Sequence, residues 1–589
     1  MRARHGAGLL AAGAVLLAGC ASIPVSGPVH AGGAVAGPTD DGYVRILPVR
    51  PAPHATPGGI VRGFLQASRA LDDPEASAAF LTANQAATWD RDAGVRFYVG
   101  TPMISAAEGR PGRITVEAAL AGRLTRDGVY TPAAPGERLQ ARFDVRQRDG
   151  RWRIADLPDG LLLAQVDLHR AWRPLNTYYL ERAGARLVPD PTLVREGGGL
   201  ATAAVRRLLA GPSAWSRGAV TTAIPVGTGL IGSVPVTDGI ARVDLTQEAL
   251  SAPPSAREAL SAQLVWTLAQ VPGVQAVQIT VAGVPLSVPN AARVQPVESW
   301  FSYDPAALPA GASAYLVRAG TLGTFLGPRH TGVAPLPGPA AARLGGLDEL
   351  AVAPDAGRVA GLSGDRRELF TAALHAGRAD TAPVLRLRGG HLTAPSIDIS
   401  GTTWVSDSAA AGEALWMVPP VGSPRSVPVR LPAGERLAAA VVARDGARIA
   451  LVGRSASPVS VDHLYVASLP AALPPRAGAS ADGPAPPALR LGPLRRLAPG
   501  VREVLDVGWM SAGQLVVLGR LGEGSLQVVA VDLDGLDVRT MPPPPPGAMT
   551  VTAAPGAAPP FVVTAPTGHG DGTAYHLVGR GWVRVGPAA

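Results

Sequence analysis

One thiol is the side chain whose position indicates the most specific chemistry in this sequence. Cys20 is the only cysteine among 589 residues, and it directly follows Leu17, Ala18 and Gly19. Small residues before a cleavage point let a peptidase close on the backbone, and a thiol after it can carry diacylglycerol through a thioether. A lone cysteine also excludes intrachain disulfides, zinc fingers and CxxC redox chemistry. The sequence therefore predicts that Cys20 is lipidated, as an N-palmitoyl, S-diacylglycerol cysteine.

The segment that precedes this cysteine has the features of an export signal. Arg2 and Arg4 form a positively charged start, and residues 9–18 form an apolar run. That run is too short to cross a bilayer, for which about 20 residues are needed. Residues 1–19 are thus predicted to be a cleaved signal peptide, and their end resembles the lipobox of bacterial lipoproteins. The resemblance implies a lipid anchor on the extracytoplasmic face of the cell membrane; the alternative is a secreted protein with a cysteine there by chance.

Motifs for catalysis are missing from the rest of the chain. The sequence contains no lysine, which excludes a P-loop and a Schiff-base nucleophile. It contains neither a GxSxG elbow nor an HExxH zinc motif. We therefore predict that the protein is not an enzyme, that it has no catalytic or metal-binding residues, and that it needs no cofactor. The residues of any ligand-binding site are left open.

Three groups of residues leave alternatives open. His569 and His576 could bind a metal or belong to a glycine-rich loop, and Asp532, Asp534 and Asp537 could form part of a calcium loop or a tight hairpin. Four tryptophans could line a sugar-binding surface or fill a core: Trp404, Trp416, Trp509 and Trp582. In each case the structural role is the prediction.

Composition and charge limit the classes of protein and partner. Hydrophobic residues make up 47% of the chain and charged residues 17%, so several cores can be buried in three or four domains. Removing Arg2 and Arg4 with the signal peptide lowers the formal net charge of +8 by two. The remaining charge weakly favours an anionic membrane surface and does not indicate nucleic-acid binding.

The first folded region is predicted over residues 43–165, after a tether over residues 20–42 that is rich in glycine, proline and alanine. Helical spacing of apolar residues begins at Ile60, and a second helical stretch covers 76–88. Strand-like runs follow at 95–99, 113–120, 139–146 and 152–157. Helices followed by an antiparallel sheet resemble the α+β cone of NTF2-like domains.

The second folded region is predicted over residues 190–290 as a mixed α/β unit. Its expected elements are a helix over 200–209, strands over 231–236 and 240–245, an amphipathic helix over 256–270, and strands over 274–281 and 286–288. The segments LLAGP, AIPVGTGL, DGIARVDLTQEAL, AQLVWTLAQVPGVQAVQI and GVPLSVP resemble the GerMN domain. This resemblance implies an extracytoplasmic binding module.

The third folded region, residues 300–589, contains an internal repeat of about 44 residues. Each copy has an apolar strand, a turn with glycine and a second strand, followed by another hairpin. The turn glycines are Gly357, Gly401, Gly446, Gly513 and, in a weaker copy, Gly556. Four strands at this period predict an all-β propeller of five or six blades. Residues 313–326 match only the second hairpin and are expected to close the ring by pairing with the other end of the chain. The alternative is a β-sandwich or an irregular β-rich tail.

The order of lipobox, α+β domain, GerMN domain and propeller resembles the LpqB lipoprotein family of actinobacteria, together with the segments GCASIPVSGPV and WFSYDPAAL. The family implies an accessory of the MtrA–MtrB two-component system. Its implied partner is the extracytoplasmic domain of the MtrB-type sensor histidine kinase, with effects on the cell envelope and division. The alternative function is a cell-wall lipoprotein whose propeller binds or cleaves glycans, with carboxylates converging in the central channel.

Overall fold

A computed structural model describes residues 49–181, 184, 186–196, 199–307, 314–318, 321–325, 333–335, 347–374, 382–409, 415–455, 461–469, 489–553, 560–565 and 572–585. All of these ranges belong to one compact unit. Across the described ranges, no helix combines the length and the hydrophobicity that a membrane span requires.

The N-terminal domain packs short helices against a six-stranded sheet. The strand order is β5-β4-β2-β1-β6, with β3 paired to β2; β1 and β6 are parallel and the other pairs are antiparallel. Its elements are α1 (Pro57–Ala67), α2 (Pro74–Ala78), α3 (Ala83–Thr88), a 3-10 helix (Arg91–Ala93), β1 (Gly94–Ala107), β2 (Arg110–Thr125), β3 (Tyr130–Pro132), β4 (Arg138–Arg148), β5 (Arg151–Asp156), β6 (Leu161–Ala164) and α4 (Gln165–Ala171).

Helix α1 begins where local chemistry favours a start. The Thr56 hydroxyl accepts a hydrogen bond from the amide of Gly59, and Pro57 occupies the first helical position, where its missing N–H costs nothing. Ile60 and Phe64 are buried on one face against the sheet. The predicted stretch 76–88 is two helices, α2 and α3, because Phe80 and Leu81 turn into the core and Leu81 bridges to β5.

The second domain contains two sheets with helices between and beside them. The first sheet has the order β10-β11-β12-β13 with β14 on β12, and the second has the order β8-β7-β9. Its elements are β7 (Trp172–Glu181), β8 (Leu187–Arg195), α5 (Leu200–Leu209), β9 (Val220–Thr221), β10 (Val236–Thr237), β11 (Ile240–Leu245), a 3-10 helix (Gln247–Ser251), α6 (Pro254–Leu268), β12 (Ala276–Val281), β13 (Val284–Pro285), β14 (Val294–Pro296) and a 3-10 helix (Val297–Tyr303).

Helix α6 is the centre of this domain, and the prediction that it is amphipathic was wrong. Residues 259–265 are buried without interruption, because β7 covers one side and β12 covers another. Two buried polar side chains on α6, Gln263 and Thr267, are therefore hydrogen-bonded internally. Gln263 donates to the Tyr178 carbonyl at 2.8 Å and accepts from the Ala223 amide at 2.9 Å. A parallel pairing of β11 with β12 accompanies the crossover through α6.

Three features of this domain differ from the predicted elements. Strands β7 and β8 include residues before 190, where the prediction begins the domain, and the side chains of Tyr179 and Val188 lie in its core. The predicted strand over 231–236 is reduced to β10, because Gly232 has a φ of 70° and Pro235 lacks an N–H for the ladder. The predicted strand over 286–288 is instead β13 at 284–285.

The C-terminal region consists of antiparallel sheets, each formed from consecutive strands. The strands are β15 (Tyr315–Arg318), β16 (Thr321–Phe325) and β17 (Val333–Pro335) in sheet 1; β18 (Asp348–Val352), β19 (Arg358–Leu362), β20 (Glu368–Ala373) and β21 (Leu385–Arg386) in sheet 2; β22 (Ser396–Ile397), β23 (Thr403–Ser406), β24 (Leu415–Val418) and β25 (Arg425–Val427) in sheet 3; β26 (Glu435–Val442), β27 (Arg448–Ser455), β28 (Asp462–Ser468) and β29 (Arg495–Leu497) in sheet 4; β30 (Val501–Ser511), β31 (Gln514–Leu521), β32 (Leu526–Asp532) and β33 (Val538–Thr540) in sheet 5; and β34 (Ala548–Ala553), β35 (Pro560–Thr564), β36 (Ala574–Val578) and β37 (Gly581–Arg584) in sheet 6.

Each sheet packs on the next one in the chain, and sheet 6 packs on sheet 1. Separate apolar clusters fill these contacts along the whole series. At the closure, the rings of Phe325 in sheet 1 and Phe561 in sheet 6 meet edge to face at 5.1 Å. In the part of the chain that the structure describes, sheet 1 pairs only β15, β16 and β17, so packing joins the two ends and the predicted strand pairing between them is not observed. This cyclic arrangement is β-propeller-like.

Polar side chains at the sheet contacts also join neighbouring sheets by hydrogen bonds. Ser396 accepts from the Val442 amide at 3.0 Å, which links sheets 3 and 4. Asp462 accepts from the Val504 amide at 3.0 Å, and Asp506 accepts from the Val551 amide at 2.9 Å. These bonds satisfy backbone amides at the sheet contacts.

Candidate interdomain binding site

The residues predicted to carry the lipid lie outside the described residues. They are Cys20 with Leu17, Ala18 and Gly19. Their assignment stays a prediction from the sequence.

The structure describes one of the two histidines that were considered as metal ligands. His569 lies outside the described residues, whereas His576 is 1% exposed on β36. Its ring lies 5.2 Å from that of Phe325 and 6.1 Å from that of Phe561, and neither ring nitrogen has a hydrogen-bond partner among the described residues. Burial lowers the pKa of His576, so the neutral form is favoured at the sheet 6–sheet 1 contact.

The aspartates of the predicted hairpin form a turn between β32 and β33. Asp534 accepts from the Leu536 amide at 2.9 Å, and Gly535 has a φ of 80°, which suits glycine. The Asp532 amide donates to the Asp537 carbonyl across the turn. Over the described ranges, no group of three or more His, Cys, Asp or Glu side chains could hold a metal ion.

The indole groups of the repeats are hydrogen-bonded within the propeller region. Trp404 donates to Asp398 at 3.1 Å, Trp509 donates to the Val441 carbonyl of the neighbouring sheet at 2.9 Å, and Trp582 donates to a carbonyl at residue 542 at 3.1 Å. Trp416 is half-buried beside the core between sheets 2 and 3. These positions correspond to core packing rather than to an exposed platform for sugars.

The hairpin loop between β2 and β3, residues 125–130, is the point where all three folded regions meet. We call it the junction loop. Toward the second domain, Asp127 accepts from the Ala214 amide at 2.6 Å, and the carbonyl of Gly128 accepts from the Leu193 amide at 2.7 Å. Burial alone would raise the pKa of Asp127, but hydrogen bonds from Thr125 and Ala214 outweigh it and lower the pKa below its usual value.

The same loop also contacts the propeller region. The side chain of Val129 joins the core between sheets 4 and 5. Arg495 of β29 is 3% exposed, and its guanidinium donates to the Tyr130 carbonyl at 2.9 and 2.6 Å and to the Asp534 carbonyl at 2.5 Å. Burial lowers the pKa of Arg495 to about 10, so the guanidinium still carries its charge at neutral pH. The junction loop therefore connects the N-terminal domain to both other regions.

A cleft beside the junction loop separates the N-terminal domain from the second domain. Its cavity volume is about 350 Å³, and a second cavity of about 560 Å³ adjoins it. Among the described residues that line the first cavity, five are arginines and one, Asp92, is acidic. We call it the arginine cleft; its arginines are Arg91, Arg126, Arg195, Arg206 and Arg207.

Backbone elements of both domains position these arginines. Arg91 begins the 3-10 helix that Asp90 caps, Arg195 ends β8, and Arg206 and Arg207 lie in the last turn of α5. Arg91 donates to the Leu71 carbonyl at 3.1 Å and Arg195 donates to the same carbonyl at 3.3 Å. The two guanidinium groups are thus held close together by one acceptor.

The floor of the arginine cleft is apolar. It is formed by buried side chains from both domains, which belong to one cluster: Val95, Leu124, Leu161, Trp172 and Leu193. Local sequence patterns do not reveal this site, because its residues are spread in short groups from Arg91 to Arg207. The adjacent pair Arg206–Arg207 is the one local signal, and two basic residues at a helix C-terminus are ordinary there.

Family models match three consecutive parts of the chain. Residues 50–169 match "Lipoprotein LpqB, N-terminal domain", residues 176–287 match "Sporulation and spore germination", and residues 323–589 match "Lipoprotein LpqB beta-propeller domain". These matches follow the same order as the folded regions described above.

Curated proteins named "Lipoprotein LpqB" are similar over nearly the full length. The protein of Thermobifida fusca is 31% identical, with 92% of each chain covered. The protein of Streptomyces coelicolor is 30% identical, with 89% of this chain and 87% of that protein covered. A solved structure of the tandem GerMN domains of GerM from Bacillus subtilis aligns with a TM-score of 0.19 and 23% identity, covering 22% of this chain and 46% of that one.

Proposed function

The chain belongs to the LpqB lipoprotein family, and from this membership we propose that it is a lipid-anchored accessory protein of a sensor kinase. It is held on the extracytoplasmic face of the cell membrane by Cys20. There it binds the extracytoplasmic domain of a two-component sensor histidine kinase of the MtrB type and modulates its signalling, with effects on the cell envelope and division. It performs this role without catalysing a reaction or holding a cofactor.

The observation that carries the proposal is the position of the one cysteine. Cys20 follows a short apolar segment and three residues of lipobox type, and relatives that span nine-tenths of the chain bear the name lipoprotein. A lipid anchor confines the protein to the membrane surface, which raises the effective concentration of a membrane partner. Weak contacts with a kinase ectodomain are then sufficient for binding.

The connection of the three regions supports a role as a binding scaffold. The junction loop bonds to the second domain through Asp127 and Gly128 and to sheet 4 through Tyr130. Because these contacts are hydrogen-bonded, a partner that binds one region acts on an assembly whose parts are fixed to one another.

The anchor is tested by Cys20→Ser, with Ser26→Ala in the tether as the matched control. We expect the serine variant to lose membrane sedimentation and to keep the length of the unprocessed chain, while the control behaves as the wild type. A serine variant that still sediments with membranes and has the processed length contradicts the anchor.

The partner is tested separately by crosslinking in intact cells, followed by mass spectrometry of captured membrane proteins. Recovery of a sensor-kinase ectodomain with the wild type, and its loss with Cys20→Ser, is the expected result. Failure to recover any sensor kinase with a correctly anchored wild type contradicts the partner and leaves the anchor standing.

The alternative, a propeller that binds or cleaves glycans, has less support. Three of the four repeat tryptophans use their indole N–H groups within the propeller region. The buried carboxylates Asp462 and Asp506 accept from backbone amides of the neighbouring sheet. These indole groups and carboxylates therefore already have hydrogen-bond partners within the protein, which does not favour a glycan site at these side chains.

We also propose two fold assignments. The six sheets are taken as the blades of a six-bladed propeller, supported by the packing of sheet 6 on sheet 1 through Phe325 and Phe561. The N-terminal domain is taken as NTF2-like, supported by α1 packing inside a long antiparallel sheet. The predicted domain limits 43–165, 190–290 and 300–589 stay proposals.

A further inference from the structure

We propose that the arginine cleft binds a phosphate-bearing ligand. The inference concerns a site that the kinase partner does not require, and it is based on uncompensated charge, free donors and the shape of the cleft.

Ion pairs neutralise only part of the positive charge of the cleft. Of its five arginines, Arg126 pairs with Asp90, but the other four form no ion pair with any described residue. Arg207 is near Asp127 and Asp190 without contacting them as an ion pair. The pKa of Arg91 is lowered, first by burial and then by the neighbouring Arg195, although Asp92, Asp72 and Asp73 act in the opposite direction; the charges of Arg91 and Arg195 repel each other. An anion placed between them would remove this repulsion.

Other arginines of the same chain are paired with carboxylates. Arg69 and Arg170 both contact Asp167, Arg123 contacts Glu137 at 2.6 Å, and Arg173 contacts Glu196 at 2.8 Å close to the cleft. Carboxylates therefore neutralise some arginines of these two domains, but not the four cleft arginines that form no ion pair with a described residue.

Donors remain available for a ligand. The Nε groups of Arg91 and Arg207 are buried and have no hydrogen-bond partner among the described residues. Arg206 is exposed and makes a single long bond, 3.4 Å, to the Gly232 carbonyl. A guanidinium presents a planar fork of donors that matches the oxygens of phosphate, so these groups suit that ligand.

The shape of the cleft indicates a ligand larger than a free ion. A volume of about 350 Å³ exceeds what one phosphate group fills, and the apolar floor includes the side chains of Trp172 and Leu193. A phosphate on the arginines with an attached organic group on this floor would use both surfaces. The phosphate could belong to a lipid headgroup or to a soluble phosphate compound.

The test is isothermal titration of the full lipidated chain, purified in nonionic detergent. The probes are inorganic phosphate and monomeric dihexanoyl phosphatidylglycerol, with dihexanoyl phosphatidylcholine to measure the effect of the acyl chains. Saturable binding of either anionic probe at the cleft supports the proposal. Binding of inorganic phosphate assigns the site to soluble phosphate compounds, and binding of phosphatidylglycerol alone assigns it to a lipid headgroup.

The variant is the triple change Arg195→Gln, Arg206→Gln and Arg207→Gln, which leaves Arg91 to support the carbonyl of Leu71. The control is Arg142→Gln, an exposed arginine on β4 of the same N-terminal sheet. We expect the triple variant to bind at least about tenfold more weakly, since each charge-assisted bond contributes on that order, and the control to bind as the wild type.

If the triple variant loses its thermal transition, the single change Arg206→Gln replaces it, because that side chain is exposed. It is then expected to weaken binding about threefold to tenfold. The proposal is overturned if neither anionic probe binds, or if a folded cleft variant binds with the affinity of the wild type.

Discussion

Replacing Gly128 by alanine tests the close contact between the junction loop and strand β8 of the second domain. Gly128 has a φ of 81°, and a Cβ added there would lie 2.7 Å from the Leu193 carbonyl oxygen and 3.2 Å from the Thr192 side chain. The matched control is Gly136→Ala in the same domain, where φ is 79° and a Cβ would have no neighbour within 4 Å. Both changes carry the same backbone strain, so their difference reports the interdomain contact.

The expected magnitude follows from these contacts. A left-handed alanine costs roughly 1–2 kcal/mol at either position. At position 128 the Leu193 carbonyl must also move by several tenths of an ångström, which weakens the 2.7 Å hydrogen bond from the Leu193 amide to residue 128. Overpacking of this kind costs about 1–3 kcal/mol, and the hydrogen bond contributes about 1 kcal/mol more. We therefore expect Gly128→Ala to destabilise the protein by about 2–4 kcal/mol beyond the control.

Calorimetry and amide exchange measure the two consequences. For a cooperative unit of roughly 540 residues, this excess corresponds to a Tm roughly 2–4 °C below that of Gly136→Ala. The amides of Leu193 and Ala214 should exchange faster in Gly128→Ala, because the bonds that protect them cross the interdomain contact. Equal Tm values for the two variants, with unchanged exchange at Leu193, would refute the reasoning.

Three further predictions concern titratable side chains. Burial raises the pKa of Asp506 from 3.8 to about 7, so the folded protein binds the proton more tightly and its free energy of unfolding should fall as pH rises from about 4 to 7. Asp506→Asn should remove this pH dependence, which amounts to up to roughly 4 kcal/mol in the free energy of unfolding. Urea unfolding at several pH values measures it, and an unchanged pH dependence in the variant contradicts the assignment. Burial lowers the pKa of His576, so the wild type should lose stability as the pH falls through about 6.5. Thermal unfolding at pH 5 and pH 8 measures this loss, and His576→Leu should abolish it. A variant with the same pH dependence as the wild type contradicts the role of His576. Arg495→Ala should cost about 2–3 kcal/mol in urea unfolding, because the carbonyl of Tyr130 loses its donor inside the protein, and a loss below about 0.5 kcal/mol would show that the contact is dispensable.

Local patterns in the sequence predicted many of the elements. Turn residues such as Asp534-Gly535 and the repeated strand–turn–strand units placed the hairpins of sheets 2 to 5, because two-residue turns and alternating burial depend on near neighbours in the chain. The same local logic failed for α6. Its leucines at helical spacing suggested one apolar face, but Gln263 and Thr267 are also buried, since their polar groups find partners on a strand far away in sequence.

The sequence by itself determined the position of the lone thiol, the signal-like segment before it and the number of strands in each full repeat. The thiol and the signal-like segment are recognised from residue type and order alone. The strand count follows from hydrophobic alternation and turns between near neighbours. Only the tertiary structure decided that Arg91, Arg195 and Arg207 share one cleft and that residues 125–130 meet both other regions. Such contacts arise when separately folded parts dock, and the docking surface is made of residues that no local period brings together.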